Sequence, residues 1–217
     1  MSFKLSDLLV NPEFAEEEFN RRVKIPIFIL VDNSGSMIMN REMLFYALNK
    51  VFKYIVEVRS DLDVFIMSFN DEISFLKNGG NKEPDYSLDL EFNGSSRLGF
   101  ALVTTLDSVK QTISNYLQQK PFRQKYYSPV ILVFSDGQTN DSKNIDNDRN
   151  CLTMSIEKIK SEVMLDRLHV ISFAIGNECN YNILRDITGL SDSSHVIIVE
   201  NGGKWFDDFE NFFILPE

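Results

Sequence analysis

The chain has 217 residues, 43% of them hydrophobic, which is enough for one α/β domain with a full core and requires no second domain. Thirty-two acids against 22 Lys plus Arg leave a formal charge of −10, which repels phosphate backbones and anionic membranes and argues against nucleic acid as a partner. Cys151 and Cys179 lie outside any CxxC or Cys/His spacing, so buried free thiols are expected rather than zinc or a redox pair.

The opening stretch MSFKLSDLLVNPEFAEEEFNRR is acidic and has no apolar signal core. Asn11 followed by Pro12 is a good helix start, so residues 11–22 are expected to form an amphipathic helix. This helix would lie in an extension, residues 1–23, ahead of a domain spanning 24–217. No later run approaches the ~18 apolar residues that a membrane span needs, and a cytoplasmic protein is expected.

The run IPIFILV at 25–31 reads as the first strand. Leu44, Leu48, Val51, Ile55 and Val58 then fall on one face at helical spacing, and DVFIMSF at 63–69 reads as the next strand. EISFL at 72–76 and YSLDLEF at 86–92 are weaker and are expected to be edge strands around the loop KNGGNKEPD. Leu98, Leu102, Leu106, Val109, Ile113 and Leu117 predict a helix that leads into the strand PVILVFS at 129–135.

A further helical face, Leu152, Ile156, Ile159 and Val163, precedes strands at 169–175 (HVISFAI) and 195–200 (HVIIVE). In the final KWFDDFENFF, residues Trp205, Phe209, Phe212 and Phe213 have the spacing of a core-packed helix. Strands that are apolar on nearly every residue, alternating with helices, predict a doubly wound, mostly parallel α/β sheet with helices on both faces.

The first strand runs directly into Asp32-Asn33-Ser34-Gly35-Ser36. In open α/β sheets, ligand sites collect at the carboxyl ends of the strands. Helix capping would explain one such residue, but here Asp32, Ser34 and Ser36 alternate, which in an extended turn points their oxygens to one side. A carboxylate among neutral hydroxyls is hard-oxygen chemistry, suited to magnesium or manganese and poorly suited to zinc. VILVFSDGQTND repeats the strand-to-aspartate pattern, placing Asp136 on the same edge, with Gly137 permitting a sharp turn. Asp32 is expected at a solvent-facing edge, where its removal opens no core cavity.

These motifs resemble a von Willebrand factor type A (VWA) domain with its Rossmann-like fold and metal-ion-dependent adhesion site (MIDAS). The likeness covers residues 24 to 200 or so. That site combines an Asp-x-Ser-x-Ser loop, a hydroxyl from a second loop and an Asp from a third. Matching Leu98-Gly99-Phe100-Ala101-Leu102 to the family's Leu-Gly-x-Ala-Leu helix start places Ser96 where members commonly carry threonine, with Ser95 as the other candidate. The resemblance thus implies metal ligands Asp32, Ser34, Ser36, Ser96 and Asp136 around Mg2+, with Mn2+ or Ca2+ as alternatives. Within the family the chain looks most like intracellular bacterial members of tellurite-resistance and stress-response clusters, which often accompany protein kinases and phosphatases.

The use that the resemblance implies is a metal-dependent adaptor, in which an Asp or Glu of a partner protein completes the coordination sphere. The rival is a magnesium-dependent phosphohydrolase with Asp32 as nucleophile. Haloacid-dehalogenase-like enzymes carry a second acid two residues on, where this chain has Ser34, which cannot act as general acid near neutral pH. His169 and His195 each open a strand at the end far from Asp32, and neither GxxxxGK[ST] nor GxGxxG occurs. A non-enzymatic, protein-binding role is expected.

Overall fold

The computed structural model describes residues 25–58, 62–78, 90–118, 127–139, 145–191, 194–200 and 203–212. The helix expected at 11–22 lies outside them, as does Phe213.

Strand β1 (Ile25–Asp32) is buried at every residue, which is why its sequence is an unbroken apolar run rather than an alternating one. It pairs in parallel with β2 (Leu62–Phe69) on one side and with β4 (Val130–Ser135) on the other. The edge strand β3 (Ile73–Asn78) returns antiparallel to β2. Beyond β4 lie β5 (His169–Ile175) and β6 (Val196–Val199), both parallel. The sheet order is therefore β3-β2-β1-β4-β5-β6. The chain leaves β1 in one direction for β2 and later reaches β4 on its opposite flank, so the topological switch point lies between the carboxyl ends of β1 and β4.

Helices cover both faces. Helices α1 (Arg41–Val58) and α5 (Lys204–Phe212) pack on the face that carries Ile27, Ile29, Val31, Leu132 and Phe134. Helices α2 (Leu98–Gln118) and α3 (Ile145–Met164), with the short α4 (Tyr181–Asp186), cover the face that carries Phe28, Leu30, Ile131 and Val133. This alternation along β1 and β4 is the two-residue period of a strand expressed as two separate cores. In α5, Trp205 and Phe209 are buried, and Phe173 stacks on Phe134 at 4.2 Å while meeting Trp205 edge-on at 6.0 Å. Among the described residues, no helix is long and apolar enough to cross a membrane.

Three expectations need correction. Leu90–Phe92, the described part of the strand expected at 86–92, has no regular structure. Leu90 is buried and Phe92 packs edge-on against Phe45 at 6.1 Å, so the alternation there reflects contact with α1 rather than strand pairing. In α2, Leu117 is exposed and Tyr116 is buried in its place, hydrogen-bonded to Asp63. Cys151 and Cys179 are free but only half-buried.

Candidate metal centre

Asp32 is the last residue of β1 and lies one position beyond the Val31–Phe134 pair, level with Ser135 at the end of β4. Its two carboxylate oxygens gather donors from three segments. Oδ1 accepts the backbone N–H of Ser34 at 3.0 Å. Oδ2 accepts the hydroxyls of Ser135 at 2.6 Å and Ser96 at 3.2 Å. The Ser34 and Ser36 hydroxyl oxygens lie 3.1 Å apart, as alternate residues on one side of a turn should. Ser34 occupies the N-cap position of a short 3-10 helix, Gly35–Asn40, yet its side chain makes no capping bond. The Ser34 hydroxyl therefore turns toward Asp32 and Ser36 rather than toward the helix end.

Asp136 follows directly from β4. Its Oδ1 accepts the Gln138 N–H at 2.9 Å, and its carbonyl accepts the Asn180 N–H at 2.6 Å. The turn depends on Gly137, whose φ of +68° favours glycine. The Gly137 N–H donates to the Ser135 hydroxyl oxygen at 2.9 Å, so that one serine links the third loop to Asp32.

Of the two candidate hydroxyls in the second loop, Ser96 joins Asp32 and Ser95 turns away to Asp71 Oδ1 at 2.9 Å. The geometry thus brings Ser34 and Ser96 to Asp32, with Ser36 beside the Ser34 hydroxyl and Asp136 close enough for its charge to act on Asp32. Sequence reasoning missed Ser135. The signal was its place immediately before Asp136, at the end of a strand neighbouring β1.

The expectation that Asp32 faces solvent is wrong, because the residue is 0% exposed and Asp136 is 3% exposed. The Asp32 carboxyl is pushed up to about 6: burial raises it most, hydrogen bonds from Ser135 and Ser34 hold part of that rise back, and the Asp136 charge adds to it. Among the described residues, no ion pair reaches either carboxylate. Nor is there any group of three or more His, Cys, Asp or Glu able to hold a metal, so the donors at hand are two carboxylates and neutral hydroxyls. A buried acid beside a second acid, with only hydroxyl and amide donors around it, suits a hard divalent cation. His169 lies 3.4 Å from Asp166, and His195 Nδ1 lies 2.9 Å from the Ser194 hydroxyl; His169 opens β5 and His195 immediately precedes β6, whereas Asp32 ends β1.

No family model and no curated protein matches the chain. Solved structures do match. The manganese-loaded TRAP protein of Plasmodium vivax is 17% identical with a TM-score of 0.58, over 86% of this chain and 70% of that one. A von Willebrand factor type A protein from Catenulispora acidiphila is 15% identical with a TM-score of 0.60, over 88% of this chain and 42% of that one. Proximal thread matrix protein 1 from the mussel byssus, in a structure whose MIDAS motif is occupied by zinc, is 12% identical with a TM-score of 0.57, over 87% of this chain and 47% of that one. The chain thus spans less than half the length of the last two. At these identities the likeness shows the fold alone: the six-stranded, mostly parallel sheet flanked by helices is the Rossmann-like α/β fold of VWA domains.

Proposed function

We propose that Asp32, Ser34, Ser36, Ser96 and Asp136 hold one divalent cation and that the domain uses it to bind a protein partner through an Asp or Glu of that partner. The observation that carries this reading is the buried Asp32, which takes hydroxyls from the ends of two other segments and has Asp136 nearby with no ion-paired partner among the described residues. A bound cation would offset the burial and the like charge that hold the Asp32 carboxyl up near 6. When bound, it supplies a Lewis-acidic position open to a further carboxylate. The chain's own contribution is to fix both carboxylates and to aim neutral hydroxyls, which leave the cation short of negative charge.

Magnesium is the expected ion on ligand chemistry, and the similar folds that carry manganese or zinc support a divalent cation of that general kind. The reading is non-enzymatic. Ser34 stands where a phosphohydrolase of this architecture needs its second acid. The resemblance to tellurite-resistance and stress-response proteins extends the proposal to a cytoplasmic adaptor for a kinase or phosphatase.

The test is affinity for a captured partner, measured by calorimetry with the wild type and with Asp32→Asn and Asp136→Asn. Binding in magnesium, with loss in EDTA and in both variants, supports the proposal. Equal affinity in magnesium and EDTA overturns it.

A further inference from the structure

Residues 93–97, which carry Ser96 toward Asp32, have no regular structure before α2 begins, yet the β2–β3 turn fixes them from one side. The Arg97 N–H donates to the Asn70 carbonyl at 3.2 Å, and Arg97 Nη1 donates to the Asp71 carbonyl at 3.3 Å. Asn70 Nδ2 donates to Asn93 Oδ1 at 2.8 Å, and the Ser95 hydroxyl donates to Asp71 Oδ1 at 2.9 Å. Gly94 has φ +69°, and a Cβ there would run into the Asp71 carboxylate. On its other side the loop joins the first motif, because the Gly94 carbonyl accepts the Gly35 N–H at 3.0 Å and Asn93 N–H donates to the Asn33 carbonyl at 3.1 Å.

The loop sends two consecutive hydroxyls to different partners, Ser95 to Asp71 on the β2–β3 turn and Ser96 to Asp32 at 3.2 Å, so the tie at Ser95 fixes the backbone from which Ser96 reaches Asp32. We propose that Asp71 is a positioning residue, whose carboxylate holds Ser95 and packs against Gly94 so that the Ser96 hydroxyl is presented to Asp32. This rests on the metal-site reading and deepens it, since a hydroxyl already in place adds no ordering cost when the cation binds. Asp71 is exposed and, among the described residues, its bonds go to the loop through Ser95 and Arg97, so its effect should fall on the site more than on the stability of the fold.

The test uses the full chain with Asp71→Ala and Asp71→Asn, reading Mn2+ affinity by electron paramagnetic resonance and, without metal, amide hydrogen exchange at Arg97 and Gly35. Loss of the Ser95 tie in Asp71→Ala is expected to weaken Mn2+ binding about tenfold and to speed both amides by a similar factor. Asp71→Asn keeps an oxygen for Ser95 and should stay within about threefold of wild type. Equal losses in the two variants would show that Asp71 acts by charge, and unchanged exchange in Asp71→Ala would show that the loop holds without it; either result overturns the inference. A wild type that binds no Mn2+ sinks the metal reading instead, and the exchange rates still decide whether Asp71 holds the loop.

Discussion

The Ser135 hydroxyl donates to Asp32 Oδ2 at 2.6 Å from the end of the adjacent strand, and the same oxygen accepts the Gly137 N–H at 2.9 Å. One side chain thus serves a buried acid on β1 and the backbone turn that presents Asp136. Ser135→Ala leaves Oδ2 with Ser96 alone and the Gly137 N–H unpaired. It is expected to cost roughly 1–3 kcal/mol at pH 7 in the metal-free protein and to raise the Asp32 carboxyl further, as loss of a bond to the charged form must. Urea unfolding checks the first expectation and carboxyl NMR titration the second; an unmoved Asp32 titration would show that the bond matters only for packing.

The pH dependence follows from Asp32 itself. In the metal-free fold it titrates near about 6, while an unfolded aspartate titrates near ~4. Between those values the folded state holds the proton more tightly, so stability falls as pH rises across this window, by roughly 3 kcal/mol for a shift of that size. Asp32→Asn should remove this slope and make the metal-free protein more stable than wild type at pH 7, while abolishing cation binding. Unfolding of both proteins in urea at pH 4.5 and pH 7 measures it, and parallel slopes would contradict the assignment.

The third loop is tested at Gly137. A Cβ there would lie 2.7 Å from the Asn180 carbonyl oxygen and 2.9 Å from Leu184 Cγ, at a φ of +68° that side chains rarely adopt. Gly137→Ala is expected to cost about 2 kcal/mol or more and to weaken cation binding by displacing Asp136. Thermal melting and manganese titration read the two effects, and a variant with wild-type melting and affinity would show that the turn tolerates the change.

Much of the fold was legible because burial on both faces writes itself as an unbroken apolar run, as in β1 and β4, and a one-sided helix face as a 3.6-residue period, as along Leu44, Leu48, Val51 and Ile55. The pattern failed where burial and hydrogen bonding part company. Leu90 and Phe92 alternate like a strand because they meet the core around α1, and alternation cannot report the missing ladder. Leu117 failed because the buried stripe shifts late in α2 to Tyr116, whose hydroxyl reaches Asp63. At the site, Asp32 and Asp136 were legible as carboxylates at strand ends. The burial of Asp32 was not, because it depends on where Ser96 and Ser135 come to lie, and adjacent hydroxyls such as Ser95 and Ser96 are separated only by the distant Asp71.

The aromatic C-terminal helix gives a prediction independent of the metal. Phe209 is 0% exposed, 5.6 Å from the rings of both Phe173 and Tyr54. Phe209→Ala is expected to destabilise the fold by about 3–5 kcal/mol, as a large cavity in a packed core does. A cost below about 1 kcal/mol with the fold intact would instead point to a helix available to a partner.

The central claim is tested most directly by anomalous diffraction from crystals of the full chain soaked in manganese chloride, collected for wild type and Asp32→Asn. The account predicts one strong peak in the wild type, bounded by Asp32, Ser34, Ser36, Ser96 and Asp136, and none at that position in the variant. A wild-type map with no peak there, or a peak that persists in Asp32→Asn, would contradict it.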